Sequence, residues 1–418
     1  MLRSILVRFP ALGYPLYRRY WGASFASVGA TQIITLGQGW LIFELSGSAW
    51  LLGLLGAAAS IPNIVMTLVG GVIADRFDKR RVMLCTSASS AGLLATLAWL
   101  DAQGAVAVWH VLMIAALFSL ITGIDWPARA SMYPRLVERP AFMSAVALNS
   151  FIWQSSRMIM PALGGLLISV SDTSVLFTLG ALGFATMFMV VATLPPQPST
   201  TATGSAFEQL GEGLRFIWQT PLFRWLMGLT FVAMFLGQSF TQLMPVFADR
   251  LGSDETGYGY LLSAGGMGSV IGTLLIGSVQ RHGQLGRVML GAATCAALLT
   301  LIFASLTVLG WFWAAFAAAL LVATCASGFN ISSMTVLQLS VPDGLRGRVM
   351  GVHSMSFSMM PLGGLFLGAL AEPLGAAAAV MVACTLYLVG IAFVAARAPM
   401  IRRLDGSRLM AHRTQPAH

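Results

Sequence analysis

The sequence predicts an all-α membrane protein with twelve transmembrane helices, arranged as two six-helix bundles in parallel repeat. Three observations lead to this fold class: the composition, the distribution of charge along the chain, and an internal duplication. The chain has 418 residues, of which 57% are hydrophobic and only 9% are charged, whereas about 25% of residues are charged in soluble domains. Its apolar runs are continuous, which favours spanning helices and excludes the alternating strands of a membrane barrel.

Twelve apolar runs are long enough to cross a bilayer, which takes about 20 residues per helix. The predicted spans are 18–43, 50–74, 82–100, 106–126, 142–169, 173–194, 222–248, 257–280, 287–308, 311–336, 346–371 and 376–396. Pro195, Pro196 and Pro198 end the sixth span, because proline cannot continue a helix. The predicted domains are an N-terminal bundle (1–194), a cytoplasmic linker (195–220), a C-terminal bundle (221–397) and a cytoplasmic tail (398–418).

The linker contains an amphipathic segment. Apolar residues recur there at helical spacing, at Phe207, Leu210, Leu214 and Ile217. Charged residues occupy other positions around the same helix, which is typical of a helix that lies flat on a membrane. We therefore expect a short helix on the inner membrane surface.

The charges segregate to opposite sides of the predicted membrane. An even number of spans places both termini on one side, and every Lys and Arg except Arg157 and Arg250 falls on that side or in the tail. The opposite loops carry acidic residues, namely Glu44, Asp101, Asp172, Asp249, Asp254, Glu255 and Glu372. Basic loops face the cytoplasm. The pattern thus predicts a multi-pass protein of the bacterial cytoplasmic (inner) membrane with both termini in the cytoplasm.

The two halves repeat each other in the same direction. Pro161, Gly164 and Gly165 in the fifth span correspond to Pro361, Gly363 and Gly364 in the eleventh. We expect these six residues to let their helices bend and pack closely. A weaker copy of the charged hairpin after the second span follows the eighth span. Parallel repeats of six spans are typical of one class of transporter, whose substrate site lies near mid-membrane between the halves.

A hairpin signature then identifies a family. Residues 71–80 read Gly-Val-Ile-Ala-Asp-Arg-Phe-Asp-Lys-Arg, which resembles the signature Gly-x-Leu-Ala-Asp-Arg-x-Gly-Arg-Arg of the major facilitator superfamily. Ile73 and Asp78 depart from it, and the Asp form resembles the enterobactin-exporter-like efflux branch, the transmembrane secretion effectors. The stretch 125–129 also suits that branch. Drug antiporters of the superfamily usually carry Gly-Pro in the fifth helix, where this chain has Met160 before Pro161.

The resemblance implies a role for the hairpin in gating. Asp75 would dock on the start of the eleventh helix and hold the inner gate shut, and Lys79 would pair with Asp125 at the inner end of the fourth helix. The alternative is that the basic residues of the hairpin only anchor the topology. The predicted gating residues are Asp75, Arg76, Lys79, Arg80, Asp125, Arg129 and Arg346.

Arg157 is the one strong charge deep in a predicted span. Ionisable residues inside a membrane face cavities or partners, and Asp125 is a candidate partner that competes with Lys79 for this role. Arg157 and Asp125 would then couple proton movement to gating. A static buried ion pair explains the same two residues, and the sequence leaves both interpretations open.

Substrate contacts are predicted from the polar residues of the spans that line the cavity in this superfamily. The candidates are Thr31, Thr35, Gln38, Thr122, Gln154, Gln238, Gln242 and Asn330. Gln238 and Gln242 lie one turn apart and would share a helix face. Hydrogen bonding between helices explains each of these residues equally well.

These features predict a secondary active transporter that works by alternating access. The chain has no phosphate-binding Gly-x-x-x-x-Gly-Lys run, so we expect that ATP does not drive transport. We also expect no cofactor, no metal, no enzymatic activity and no nucleic acid. We expect protons as the coupling ion, a small-molecule substrate, the lipid bilayer as surroundings, and a monomer. The leading hypothesis is a proton antiporter that exports a drug or a siderophore of apolar or amphiphilic character. The alternatives are a nutrient importer and a membrane sensor without transport activity.

Overall fold

The computed structural model describes residues 9–196, 206–279 and 284–405, with the backbone alone at 67–76, 206–210, 277–279 and 343. Within these ranges the chain forms helices and turns, with no strand. The all-α class predicted from composition is confirmed. The chain divides into two compact units, and the second unit includes Ser48–Ala57 from the first half of the sequence together with Phe207–His418.

The first unit consists of long helices joined by short turns. They are α1 (Pro15–Ser46), α2 (Ala49–Arg76), α3 (Lys79–Ala102), α4 (Val108–Met132), α5 (Phe142–Val170) and α6 (Thr173–Ala192), and α2 belongs to this unit only from Ala58 onward. Helix α6 packs along both α1 and α3, and α5 packs on α1. Small residues permit this approach, since a Cβ built on Gly183 would lie 2.9 Å from the carbonyl oxygen of Ala26.

The structure explains two positions at which the sequence departs from the patterns of the superfamily, Asp78 and Met160. Asp78 caps α3, because its Oδ1 accepts hydrogen bonds from the backbone N–H groups of Arg80 (2.8 Å) and Arg81 (3.3 Å). An Asp at this position satisfies helix donors that otherwise have no partner. Met160 packs against Gly29 of α1, where an added Cβ would lie 3.3 Å from Met160 Cε. The close approach that a Gly-Pro sequence would provide on α5 is thus supplied by a glycine on the facing helix.

The second unit begins with the linker helix and contains the remaining helices. They are α7 (Ala206–Gln219), α8 (Pro221–Val232), α9 (Met244–Arg250), α10 (Glu255–Val279), α11 (Leu285–Leu309), α12 (Phe312–Ser340), α13 (Asp343–Met355), α14 (Met359–Leu374), α15 (Ala376–Arg397) and the single turn α16 (Pro399–Arg402). Helix α7 falls within the predicted linker. Glu212 of α7 forms an ion pair with Arg348 of α13, and Gly213 lies against the backbone of the same residue.

The predicted span 222–248 is not one regular helix. A π-helical turn, Ala233–Gly237, and a 3-10 segment, Ser239–Leu243, separate α8 from α9. The predicted span 346–371 is likewise interrupted between α13 and α14 by a 3-10 turn, Ser356–Ser358. Single-turn π-helices inside helices are frequent at functional sites. In the first unit the corresponding spans, the first and the fifth, are the continuous helices α1 and α5.

Ten segments of the described chain are long and apolar enough to cross a membrane. They coincide with every predicted span except the first and the fifth. Helices α1 and α5 cover those two spans with 32 and 29 residues, and polar residues such as Gln32 and Arg157 lower their hydropathy. The structure thus provides ten of the twelve predicted spans by length and composition, and two more by length alone.

Candidate functional site

A buried group of four polar side chains lies inside the first unit, and we call it the charged cluster: Ser27, Thr86, Asp125 and Arg129. Asp125 and Arg129 stand one turn apart on α4 and form an ion pair through Arg129 Nε and Asp125 Oδ2. Thr86 on α3 donates a 2.6 Å hydrogen bond to Asp125 Oδ1. Arg129 Nη1 donates a 2.7 Å hydrogen bond to Ser27 Oγ on α1. The cluster thereby joins three helices.

Burial makes the ion pair of the charged cluster sensitive to any change of charge. Asp125 is 5% exposed, and the side chain of Arg129 is 13% exposed. The guanidinium also lies 5.9 Å from the ring centroid of Phe184, within cation–π range. Removing one partner of a buried ion pair costs about 3–5 kcal/mol, because it leaves an uncompensated charge. The two side chains of this pair therefore depend on each other for their charge balance.

The predicted gating residues separate into several environments. Lys79 is 3% exposed at the first residue of α3, and Arg346 is half-buried on α13. Arg80 donates hydrogen bonds to the carbonyl oxygens of Val191 (3.2 Å) and Ala192 (2.6 Å) at the end of α6, where a cation also complements the helix dipole. The side chains of Asp75 and Arg76 lie outside the described residues, so the predicted docking of Asp75 stays a prediction.

Arg157 differs from Arg129 in its surroundings. It is exposed on α5, and within the described part of the chain its guanidinium makes no hydrogen bond, ion pair or ring contact. Asp125, which the sequence offered as a partner, instead binds Arg129 and Thr86. The structure therefore brings Asp125 and Arg129 together and leaves Arg157 apart from them.

Three predicted substrate residues use their hydroxyl groups within their own helices. Thr31 donates to the carbonyl of Ser27 (3.0 Å), Thr35 to that of Thr31 (2.9 Å), and Thr122 to that of Ser119 (3.1 Å). Such bonds satisfy the hydroxyls without a ligand. They favour the structural interpretation of these threonines.

Gln38 and Asn330 retain unsatisfied polar atoms. Gln38 is 7% exposed and its Nε2 finds no hydrogen-bond partner among the described residues. The same holds for Oδ1 of Asn330 in the second unit. A buried polar group without a partner costs free energy. These two residues, each in its own unit, stay candidates for polar contacts to a substrate.

Gln238 and Gln242 do not share a helix face in the way their spacing suggested. The residues between them are 3-10 helical, and at three residues per turn, positions four apart are rotated by about 120°. Gln242 packs instead on Gly364, where an added Cβ would lie 2.5 Å from Gln242 Cγ. The two glutamines are thus held by an irregular segment, and the prediction of a common face is wrong.

The glycines predicted to soften the repeated helices serve a packing role in the second unit. A Cβ built on Gly363 would overlap the carbonyl oxygen of Phe235 in the π-helical turn. In the first unit the corresponding Gly164 meets only side chains, the nearest being Leu36 at 3.3 Å. Pro161 lies within the continuous helix α5, whereas Pro361 lies at the start of α14. The same motif therefore lies inside a continuous helix in the first unit and near the start of a helix in the second.

Sequence reasoning missed several members of the site. Thr86 and Ser27 carry no motif and join the charged cluster only through packing of α1 and α3 on α4. The pairing of Asp125 with Arg129 had a signal, since oppositely charged residues four apart on a helix are neighbours. Trp126 and Trp153 were also missed, although they contact each other across α4 and α5 with ring centroids 5.0 Å apart.

The sequence matches the family described as transmembrane secretion effector over residues 8–416. The chain belongs to the transmembrane secretion effector family. This confirms the branch of the major facilitator superfamily that the charged hairpin predicted, and the chain is therefore a membrane transporter. The prediction that the chain is not an enzyme agrees with its membership of a family of transporters.

Two of the similar proteins are an efflux pump and an exporter by name. The multidrug efflux pump Tap of Mycolicibacterium fortuitum is 27% identical over 88% of this chain and 91% of its own length. The enterobactin exporter EntS of Shigella boydii is 25% identical over 88% of both chains. Among solved structures, a variant of the nucleoside transporter NupG has a TM-score of 0.75 at 15% identity, covering 91% of this chain and 99% of its own. At that identity the likeness shows the fold alone.

Proposed function

We propose that this transmembrane secretion effector is a proton-coupled exporter of small apolar or amphiphilic compounds, such as a drug or a siderophore. It would act in the bacterial inner membrane, with both termini in the cytoplasm. The observation that carries the proposal is the buried ion pair of the charged cluster, Asp125 with Arg129. The names of the relatives, a multidrug efflux pump and an enterobactin exporter, support the direction of transport.

Asp125 is the proposed proton carrier. Its carboxylate accepts hydrogen bonds from Thr86 and Arg129. A proton taken up by Asp125 removes the charge that neutralises Arg129. Arg129 would then lose its counter-charge and keep weaker contacts such as the Ser27 hydroxyl and the Phe184 ring, which is an unfavourable state.

Protonation would therefore favour another arrangement of α1, α3 and α4. The charged cluster joins these helices through Ser27, Thr86 and Asp125, so a change in charge acts on their packing directly. A protein with two conformations shifts toward the one that better accommodates the proton. In transporters of six-plus-six repeats such a shift corresponds to alternating access, and we assign the coupling of proton entry to substrate exit to this cluster.

Everted membrane vesicles test the proposal. Respiration acidifies their interior, which corresponds to the outside of the cell. A transported compound should enter the vesicles and release protons, measured as recovery of quenched acridine fluorescence after addition of each member of a panel of amphiphilic dyes. Asp125→Asn keeps the size of the side chain and removes the charge, and it should abolish the proton release.

Asp101→Asn provides a matched control. Asp101 also accepts a hydrogen bond from a threonine, Thr173, but it lies at the end of α3 and has no arginine partner among the described residues. This variant should retain proton release. Gradient-driven loss of dye from the vesicles would identify an importer, and dye entry without proton release in the unsubstituted protein would contradict proton coupling.

A further inference from the structure

The exposed part of α4 and α5 carries an aromatic and cationic patch that the charged cluster does not use. It consists of Trp126, Trp153, Gln154 and Arg157, and we call it the indole–arginine patch. The indole rings of Trp126 and Trp153 meet edge to face, with an interplanar angle of 74°. Trp126 is 54% exposed, so a broad aromatic surface is available to a ligand.

Arg157 extends this aromatic surface with a positive charge. It follows Trp153 by one turn of α5, and residues four apart lie on the same helix face. Gln154 is three residues before Arg157 on the same side and is half-buried. The patch thus combines the indole of Trp126 on α4 with an indole, an amide and a guanidinium that lie within about one turn of α5.

The depth of Arg157 argues against a lipid headgroup as its partner. Arg157 lies close to the midpoint of α5 (Phe142–Val170), which places it roughly 20 Å from either end at about 1.5 Å per residue. Lipid headgroups lie at the ends of a spanning helix. An arginine at this depth faces a water-filled cavity or a partner inside it.

Arg129, in contrast to Arg157, is an arginine whose side chain has partners within the protein. Arg129 binds Asp125 and Ser27 and lies over Phe184. For Arg157, no side chain or carbonyl among the described residues performs any of these roles. A guanidinium presents a planar set of donors that matches a carboxylate, which makes Arg157 suited to bind an acidic group.

We propose that the indole–arginine patch binds the substrate, and that the substrate class is a small aromatic amphiphile with one carboxylate or similar acidic group. The flat body packs on Trp126 and Trp153, while Arg157 binds the acid and Gln154 adds a polar contact. This rests on the proposed export function and sharpens it, since an aromatic acid is one class of amphiphilic compound.

Direct binding tests the proposal without any need for transport. Purified protein in phosphatidylcholine nanodiscs is titrated with 2-naphthoate and, separately, with 2-naphthamide, an uncharged compound of nearly the same shape. Isothermal titration should show naphthoate binding about tenfold tighter, as expected for charge-assisted hydrogen bonds. Arg157→Gln should make the two affinities equal, and Arg157→Lys should retain part of the difference. Trp153→Leu should weaken both probes by a similar factor.

Two control variants match these changes elsewhere on the chain. Arg139→Gln removes another exposed arginine, and Trp99→Leu removes a tryptophan that is 62% exposed. Both should leave the naphthoate preference intact. Equal affinities in the unsubstituted protein, absence of binding, or a preference that survives Arg157→Gln would each overturn the proposal. Naphthoate binding that depends on Arg157 in a protein without proton-driven export would instead reject the proposed function and keep this site.

Discussion

The two units carry the same repeated motif on different backbones. In the first unit Pro161 and Gly164 lie within one continuous helix, α5. In the second unit Pro361 and Gly363 follow a 3-10 turn, and Gly363 packs on the carbonyl of Phe235 in a π-helical turn. The first unit in turn contains a buried ion pair, Asp125 with Arg129.

This difference indicates a division of roles within a duplicated fold. The first unit holds a buried ion pair, and its helices are regular. The second unit has buried neutral contacts between helices, such as the 3.0 Å hydrogen bond between Thr230 and Ser333, and two of its predicted spans are interrupted. We infer that proton sensing belongs to the first unit and backbone adaptability to the second.

The largest expected effect comes from breaking the buried ion pair. Arg129→Met leaves Asp125 buried and ionised without its counter-charge, which should lower the free energy of unfolding by about 3–5 kcal/mol. The double variant Asp125→Leu with Arg129→Met should regain most of this loss, because no buried charge is left. Unfolding by sodium dodecyl sulfate, followed by tryptophan fluorescence, measures both. Equal stabilities of the single and double variants would show that the pair is not coupled.

A smaller effect tests the repeated glycines. Gly363→Ala places a methyl group against the fixed carbonyl of Phe235 and should cost about 1–3 kcal/mol, as overpacking does. Gly164→Ala meets the movable Leu36 side chain at 3.3 Å and should cost less than Gly363→Ala. Melting temperatures of the two variants in detergent provide the comparison. If Gly164→Ala is the more damaging change, the proposed difference between the units is wrong.

The smallest effect concerns the charged hairpin of the first unit. Asp78→Ala removes the cap of α3 and should lower stability by about 0.5–2 kcal/mol. Asp78→Ser keeps a capping oxygen and should retain most of the stability. Comparison of the two by the same unfolding measurement separates capping from any electrostatic role of the hairpin. A loss of equal size in both variants would favour the electrostatic role.

The sequence predicted the helices of the fold and the positions of two members of the charged cluster, Asp125 and Arg129. Long apolar runs and charge segregation predicted the helices, because both follow directly from the bilayer as a solvent. The position of Asp125 and Arg129 on one stripe of the fourth span followed from helical spacing. The sequence could not show whether Asp125 pairs with Arg129, Lys79 or Arg157, because spacing along the chain does not reveal which side chains meet in three dimensions.

The irregular stretches of the second unit could not be predicted from the sequence for a different reason. The predicted span 222–248 contains no proline between Leu226 and Met244, and isolated glycines such as Gly228 and Gly237 are tolerated within a helical pattern. The interruption coincides with the contact between Phe235 and Gly363, which are far apart along the chain. Local conformational preference and hydrophobic periodicity do not reveal a contact between residues that are far apart in the sequence. The same applies to Trp126 and Trp153, whose pairing depends on how α4 meets α5.

The most direct test of proton coupling in the first unit compares two modes of transport by one variant. A dye identified in the vesicle assay is loaded into proteoliposomes that contain Asp125→Asn protein. Counterflow exchange without a pH gradient requires the conformational cycle but no net proton movement, and it should persist at a measurable rate. Accumulation driven by an imposed pH gradient should be lost. If the variant loses both activities together, or keeps gradient-driven accumulation at the unsubstituted level, then Asp125 is not the coupling residue.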